Sequence, residues 1–276
     1  MISAKQPHIL IFDSGVGGLS VVEAIRKTMP YCQLTYASDN AQFPYGTKTA
    51  LELVARVERV LKNLQKKVAA DIIVIACNSA STVVLPKIRS HFLQPIIGVV
   101  PAVKPAAEIT ANNTIGLLAT PGTVDRSYTN QLIIDFASHC HIISVGSSEL
   151  VLLAEKKLRG QAISLALLTE ITEPFRSQKN QCLPDTVVLA CTHFPLLKNE
   201  LMSVLPAITH WIDSGDAIAR RIQFWIKELN LTMDATPIAE LALGHSIFTK
   251  KTELVELIKP TLNKLNLSLI SYMEIS

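Results

Sequence analysis

The chain has 276 residues, 49% hydrophobic, 18% charged and 5% aromatic, with 26 basic against 23 acidic side chains. At about 150 residues per domain that length predicts two domains or one large one, and it is enough to bury a sizeable core without disulfides or a structural metal. A formal net charge of +3 with no Lys/Arg block gives no reason to expect a nucleic-acid partner.

The uninterrupted apolar runs, such as Ile72 to Cys77, fall far short of the roughly 18 residues that span a bilayer. The first, Ile9 to Phe12, is too brief for a signal-peptide core and ends in Asp13. The five cysteines (32, 77, 140, 182 and 191) form an odd set without a C-x-x-C pair. That pattern suits reduced thiols in a cytoplasmic, soluble protein better than a disulfide frame.

In chain order, strands are expected at 8–12 (HILIF), 33–37 (QLTYA), 71–76 (DIIVIA), 96–100 (IIGVV), 114–119 (TIGLLA), 141–145 (HIISV), 186–190 (TVVLA) and 210–213 (HWID). Amphipathic helical segments lie between them at 18–29, 48–66, 80–92, 124–138, 148–158, 161–177, 195–204 and 216–229. This alternation predicts an α/β fold, and apolar runs so continuous fit parallel strands covered by helices on both faces.

A weak internal repeat marks two halves. IIVIACNSAST (72–82) and TVVLACTHFPL (186–196) each read as a buried strand, then Ala-Cys, then a polar residue and a helix start. Cys77 and Cys191 are 114 residues apart, and each is followed 20 residues later by the next strand, at Ile97 and Trp211. A duplicated α/β unit of roughly 100 residues accounts for this. Each unit would present a cysteine at the carboxyl end of a strand, where open α/β sheets bind ligands.

Cysteine is commonly a buried, inert hydrophobe. Here both cysteines stand where a strand is expected to give way to a helix, whose N–H groups and dipole favour a thiolate. Both are followed by hydrogen-bonding residues, Asn78-Ser79 and Thr192-His193. A redox couple would carry C-x-x-C spacing, and a Cys–His nucleophile would leave Cys77 unexplained. Two thiols flanking one stereocentre use both, one removing a proton while the other donates from the opposite side.

The first strand ends in Asp13-Ser14-Gly15-Val16-Gly17-Gly18. Its glycine spacing fails the dinucleotide fingerprint, and the Gly-Lys-Ser/Thr of a Walker loop is missing. Asp13 reads either as a helix cap or as a carboxylate that orients or deprotonates a thiol. Pro44-Tyr45-Gly46 is a turn by its chemistry, placed after the second strand on the same rim. Ala119 to Thr123 and Ile212 to Asp216 complete that rim. His139-Cys140-His141 lies on one short strand and cannot supply a full metal site. Cys32, Cys140 and Cys182 read as packing or surface residues.

Together FDSGVGGLSV (12–21), SDNAQFPYG (38–46), ACNSAST (76–82), GVVPAVKPA (98–106), GLLATPGTV (116–124), VLACTHFPLL (188–197) and IDSGDAIARR (212–221) resemble the glutamate racemase family. The resemblance spans about residues 8 to 221; the segment after Leu229 carries no motif. It implies a cofactor-independent racemase that binds L- and D-glutamate and supplies D-glutamate for peptidoglycan. By position Cys77 matches the thiol acting on the D-enantiomer and Cys191 the thiol acting on the L-enantiomer, assisted by Asp13 and His193 respectively. Asp13, Ser14, Tyr45, Gly46, Asn78, Ser79, Thr192 and His193 match substrate-binding positions, with Thr120 and Thr123 as further contacts. Glu155 falls at an assisting acidic position but reads equally as a helix-surface glutamate. Ser79 departs from the family's usual threonine, keeping the hydroxyl and losing a methyl.

The resemblance also implies two similar flavodoxin-like α/β domains with mainly parallel sheets, facing across a cleft. Residues 1–100 plus 213–276 would form the first and 101–212 the second, with Cys77 and Cys191 opposed. No cofactor and no metal is expected, since no pyridoxal lysine or clustered ligand spacing appears. Rival readings are a two-thiol racemase for aspartate or a hydantoin, a Cys191–His193 hydrolase, and a non-catalytic amino-acid-binding protein. No membrane partner is expected, and a homodimer stays open.

Overall fold

The apolar run that ends in Asp13 forms the first strand, and the same pattern recurs down the chain. The computed structural model describes residues 6–177, 182–232 and 244–275. The opening stretch runs β1 (His8–Asp13), α1 (Leu19–Thr28), β2 (Gln33–Ser38), α2 (Ala50–Gln65), β3 (Ile72–Ile75), α3 (Asn78–Ile88) and β4 (Ile96–Gly98). Then come α4 (Val103–Ile109), β5 (Thr114–Ala119), α5 (Pro121–Val124), α6 (Ser127–Ala137) and β6 (His141–Gly146). They are followed by α7 (Glu149–Leu158), α8 (Leu165–Ile171), β7 (Thr186–Leu189), α9 (Lys198–Val204) and β8 (His210–Ile212). The chain closes with α10 (Gly215–Glu228), β9 (His245–Phe248), α11 (Glu253–Leu257), α12 (Lys259–Lys264) and β10 (Leu269–Tyr272).

Contacts divide the chain into two α/β units, Met1–Val99 with Gly215–Ser276, and Val100–Ser214. The first holds a sheet of order β10-β9-β2-β1-β3-β4 and the second a sheet of order β6-β5-β7-β8. Every strand pairing among the described residues is parallel. The orders β2-β1-β3-β4 and β6-β5-β7-β8 are the same topology, so the repeat around the two cysteines belongs to a duplicated unit. The first unit extends its copy with β9 and β10 beyond β2.

Burial explains the layering. All four residues of β3 and all six of β5 are buried, so each sheet needs cover on both faces. In the first unit α2 supplies it with Leu53, Val57, Val60, Leu61 and Leu64 at helical spacing, in a cluster with Leu10, Phe12, Ile73 and Ile75. A capping box between Thr49 and Glu52 fixes where that helix begins. In the second unit Ile115, Leu117, Val188 and Ala106 form the corresponding core. Gly116 lets Phe175 lie on β5, because a Cβ there would meet the ring at 2.9 Å.

The expected strands all form, within two residues at each end. Several helices are interrupted. Of the segment 124–138 only Val124 belongs to α5; α6 begins at Ser127, after Arg126, which is extended at ψ 134°. The segment 161–177 becomes α8 and a 3-10 turn at Glu173–Phe175, 195–204 begins with a 3-10 turn at Phe194–Leu197, and 80–92 starts at Asn78 and leaves the α-helix at Ile88. No helix among the described residues is long and apolar enough to cross a membrane.

Candidate active site

The two units place their cysteines by the same backbone scheme. In the first, Ala76 N–H donates to Phe12 C=O at 2.7 Å; in the second, Ala190 N–H donates to Leu118 C=O at 2.8 Å. Cys77 and Cys191 follow directly, past the carboxyl ends of β3 and β7. On the neighbouring strand, Asp39 N–H donates to Asp13 C=O at 2.8 Å and Ser147 N–H to Ala119 C=O at 2.9 Å. Asp13 and Ala119 are therefore equivalent positions, as are Ser14 and Thr120. The duplication gives each unit a thiol, but only the first gives it a strand-end carboxylate.

In the first unit Asp13 is fully buried. One carboxylate oxygen accepts from Ser14 N–H at 2.7 Å and the other from Gly18 N–H at 2.5 Å. Asp13 thus does hold the start of α1, and the packing there is close: a Cβ on Gly18 would lie 3.0 Å from the Cβ atoms of both Ala76 and Asp13. The same loop brings Ser14 Oγ to 3.7 Å from Cys77 Sγ. Cys77 is buried at the N-cap of α3, where the first turn's N–H groups present partial positive charge. Asn78 and Ser79 follow on that turn, both buried, and Asn78 Nδ2 has no hydrogen-bond partner among the described residues. A buried amide donor left open beside a thiol is a costly feature unless a ligand takes it up. Tyr45 and Gly46 lie in a 3-10 turn, Tyr45–Thr47, with the ring buried in the same apolar cluster as Cys77.

The second unit solves the same problem with different residues. Cys191 is not followed by an α-helix but by a turn and the 3-10 segment Phe194–Leu197, so the helix-dipole argument applies to Cys77 and not here. Charge comes instead from His193, buried, with Nδ1 3.9 Å from Cys191 Sγ and Nε2 3.0 Å from Glu155 Oε1. Burial alone would lower the imidazole's pKa. The hydrogen bonds of Cys191 and Glu155 outweigh it and push the pKa up to about 10. A cation beside a sulfur stabilises thiolate charge.

The surface reading of Glu155 is therefore corrected: it is 4% exposed, and its other oxygen binds Arg159 at 2.5 Å. Thr120 and Thr123 are buried, with hydroxyls 3.0 Å apart, and Thr129 Oγ1 donates to Thr123 C=O at 2.6 Å. Thr192 is buried next to Cys191.

Of the remaining cysteines, Cys32 is buried and donates to Met29 C=O at 3.2 Å, Cys140 is partly buried and Cys182 exposed. Among the described residues no group of three or more His, Cys, Asp or Glu could hold a metal ion. The residues that sequence reasoning missed sit behind Tyr45. Asp39, itself inside the SDNAQFPYG motif, takes the Tyr45 hydroxyl at 2.5 Å and the Arg56 guanidinium at 2.8 and 2.9 Å.

A family model described as Asp/Glu/Hydantoin racemase matches residues 19–222. Glutamate racemase of Serratia proteamaculans is 53% identical over 221 residues, covering 80% of this chain and 76% of that protein. Glutamate racemase of Escherichia fergusonii is 49% identical over 253 residues, covering 87% and 88%. Among solved structures, Escherichia coli glutamate racemase in complex with L-glutamate and the activator UDP-MurNAc-Ala matches with a TM-score of 0.90 at 44% identity, over 99% of this chain and 100% of that one.

Proposed function

We propose that this chain, which belongs to the Asp/Glu/Hydantoin racemase family and is an amino-acid racemase, interconverts L- and D-glutamate by two-base transfer of the α-proton without a cofactor. The observation that carries the reading is the pair of buried strand-end thiols, one beside the Ser14 hydroxyl at a helix start and the other beside the His193 imidazole.

One thiolate removes the α-proton, forming S–H and leaving the electron pair on Cα. The thiol of the other cysteine protonates Cα from the opposite face and becomes the thiolate. The scheme requires the two sulfurs on opposite sides of the α-carbon. Cys191, beside the His193 imidazolium, attacks the L-enantiomer, and Cys77, beside Ser14 and assisted by Asp13, attacks the D-enantiomer. Charge developing on the carbanion spreads into the α-carboxylate, so fixed donors aimed there lower the barrier. Ser14, Asn78, Ser79, Thr120, Thr123 and Thr192 are the candidates, with the Tyr45–Gly46 turn as a further contact. Each turnover moves the thiolate from one cysteine to the other, and proton exchange with solvent resets the pair.

Glutamate is chosen over aspartate because the relatives at about 50% identity bear that name. The muramyl nucleotide that activates the E. coli relative supports supply of D-glutamate for peptidoglycan as the role.

Purified chain incubated with L-glutamate and no added cofactor is expected to drive optical rotation to zero, and D-glutamate to the same endpoint. Rotation that holds steady with glutamate but decays with aspartate would overturn the substrate assignment. Stoichiometric binding with no decay for either would favour the binding-protein reading.

A further inference from the structure

Asp39 is fully buried and has no part in the proton transfer proposed above. Its carboxylate is nevertheless saturated with donors. Arg56 Nη2 donates to Oδ1 at 2.8 Å and Arg56 Nε to Oδ2 at 2.9 Å. Tyr45 Oη donates to Oδ2 at 2.5 Å and Thr249 Oγ1 to Oδ1 at 2.7 Å. The donors come from three stretches of chain, one of them about 210 residues away.

That distant stretch follows β9. Thr249 N–H donates to Ser38 C=O at 3.0 Å, and Thr249 Oγ1 accepts from Ala41 N–H at 3.0 Å. Asn40 and Lys250 exchange two further bonds, Asn40 Nδ2 to the Lys250 carbonyl at 2.8 Å and Lys250 N–H to Asn40 Oδ1 at 2.9 Å. Arg56 Nη1 meanwhile donates to the Ile275 carbonyl at 3.1 Å. The segment after β2 is thus stitched to the chain's returning C-terminal part, and Asp39 is the knot.

We propose that Arg56 and Thr249 are positioning residues for racemisation, which through Asp39 fix Tyr45 and with it the Tyr45–Thr47 turn against the substrate. The inference rests on the reading that Tyr45 and Gly46 touch glutamate. A buried ion pair is a poor source of net stability, but a bidentate guanidinium–carboxylate fork fixes direction. Burial and the neighbouring Asp39 carboxylate keep the phenol protonated by raising its pKa far above the ordinary tyrosine value. Its O–H therefore remains a donor to Asp39, while the ring is clamped 6.3 Å from Phe12. A turn held this firmly presents its backbone to a ligand in one geometry.

The test compares Thr249→Val, Thr249→Ser and Arg56→Lys with the wild-type chain in L-glutamate racemisation, with thermal unfolding followed in parallel. Misplacing a contact by a fraction of an ångström weakens binding before it alters proton transfer, so Thr249→Val and Arg56→Lys are expected to raise KM about tenfold while kcat changes less than about threefold. Thr249→Ser, which keeps the hydroxyl, is expected to stay near wild type. In a Tyr45→Phe background Thr249→Val should add nothing, because the hydroxyl through which it acts is gone. An unchanged KM in Thr249→Val, a Thr249→Ser as impaired as the valine, or a full additive loss in the Tyr45→Phe background would each overturn the proposal. A wild-type chain inert toward glutamate would overturn the substrate reading itself, and with it the premise of this one.

Discussion

Cys77→Ser and Cys191→Ser are each expected to lower racemisation by about 10²–10⁴-fold in both directions, the range a positioned general acid or base contributes. Serine keeps a hydroxyl in place of the thiol, so packing at these buried sites changes little, while a basic oxyanion near neutral pH becomes inaccessible. The two variants should nevertheless differ in one respect. With Cys77 replaced, Cys191 still removes the α-proton of L-glutamate, so its exchange with solvent should outrun inversion. Cys191→Ser should show the same imbalance with D-glutamate. α-Proton NMR beside optical rotation reads both quantities. A Cys77→Ser variant that racemises normally would return the Cys191–His193 hydrolase reading to the front, since that chemistry has no use for Cys77.

Glu155→Gln is expected to lower activity about 10–10²-fold, more severely than its distance from the sulfur suggests, because it acts through the charge on His193. The same substitution should change the pH dependence of stability. His193 has a folded-state pKa of about 10 against roughly 6.5 for an unperturbed histidine. Between those values the folded chain binds more protons than the unfolded one, so stability falls as pH rises. The contribution is full below about pH 6.5 and lost as pH passes through about 10. Glu155→Gln removes one of the two partners that raise this pKa and should narrow the window. Breaking a buried pair costs on the order of 3–5 kcal/mol, and glutamine's retained carbonyl places this variant at the low end. Urea unfolding midpoints at intervals from pH 6 to 10 should show the largest deficit at low pH and convergence toward pH 10. A deficit that does not vary with pH would mean that Glu155 serves only to pack α7.

The strands that carry the site were legible because each is a continuous β-branched run with its polar motif immediately after it, as in IIVIACNS and TVVLACTH. The duplication showed in the sequence only around the cysteines; its extent appears in the shared strand order. β9 and β10 were not legible. They are four-residue segments, HSIF and LISY, and β10 has no buried position, so neither carries a strong apolar period. Pro101 and Pro105 concealed the short helix α4, although proline is tolerated in a first turn.

The surface alternative for Glu155 could have been set aside on helix periodicity, since it lies four positions after buried Val151 and therefore on the same helix face. The Asp39 network was beyond reach for a different reason. Arg56 and Thr249 are 17 and 210 positions from Asp39, and it is the parallel pairing of β9 with β2 that brings Thr249 to it. The asymmetry of the two thiols is likewise structural: Ala119 stands where its counterpart is Asp13, and nothing in either motif alone reveals that the two positions correspond.

Two-base racemisation requires two different groups to take and give the α-proton. The most direct measurement is the isotope distribution after a few per cent of turnover of L-glutamate in D2O. Two-base transfer predicts deuterium at the α-carbon of the D-glutamate formed and almost none in the L-glutamate recovered, because the incoming hydron comes from the second, solvent-equilibrated thiol. The reverse experiment, from D-glutamate, should give the mirror result. Deuterium appearing early in recovered substrate, or protium carried over into product, would mean that one group serves both faces and would overturn the two-base mechanism.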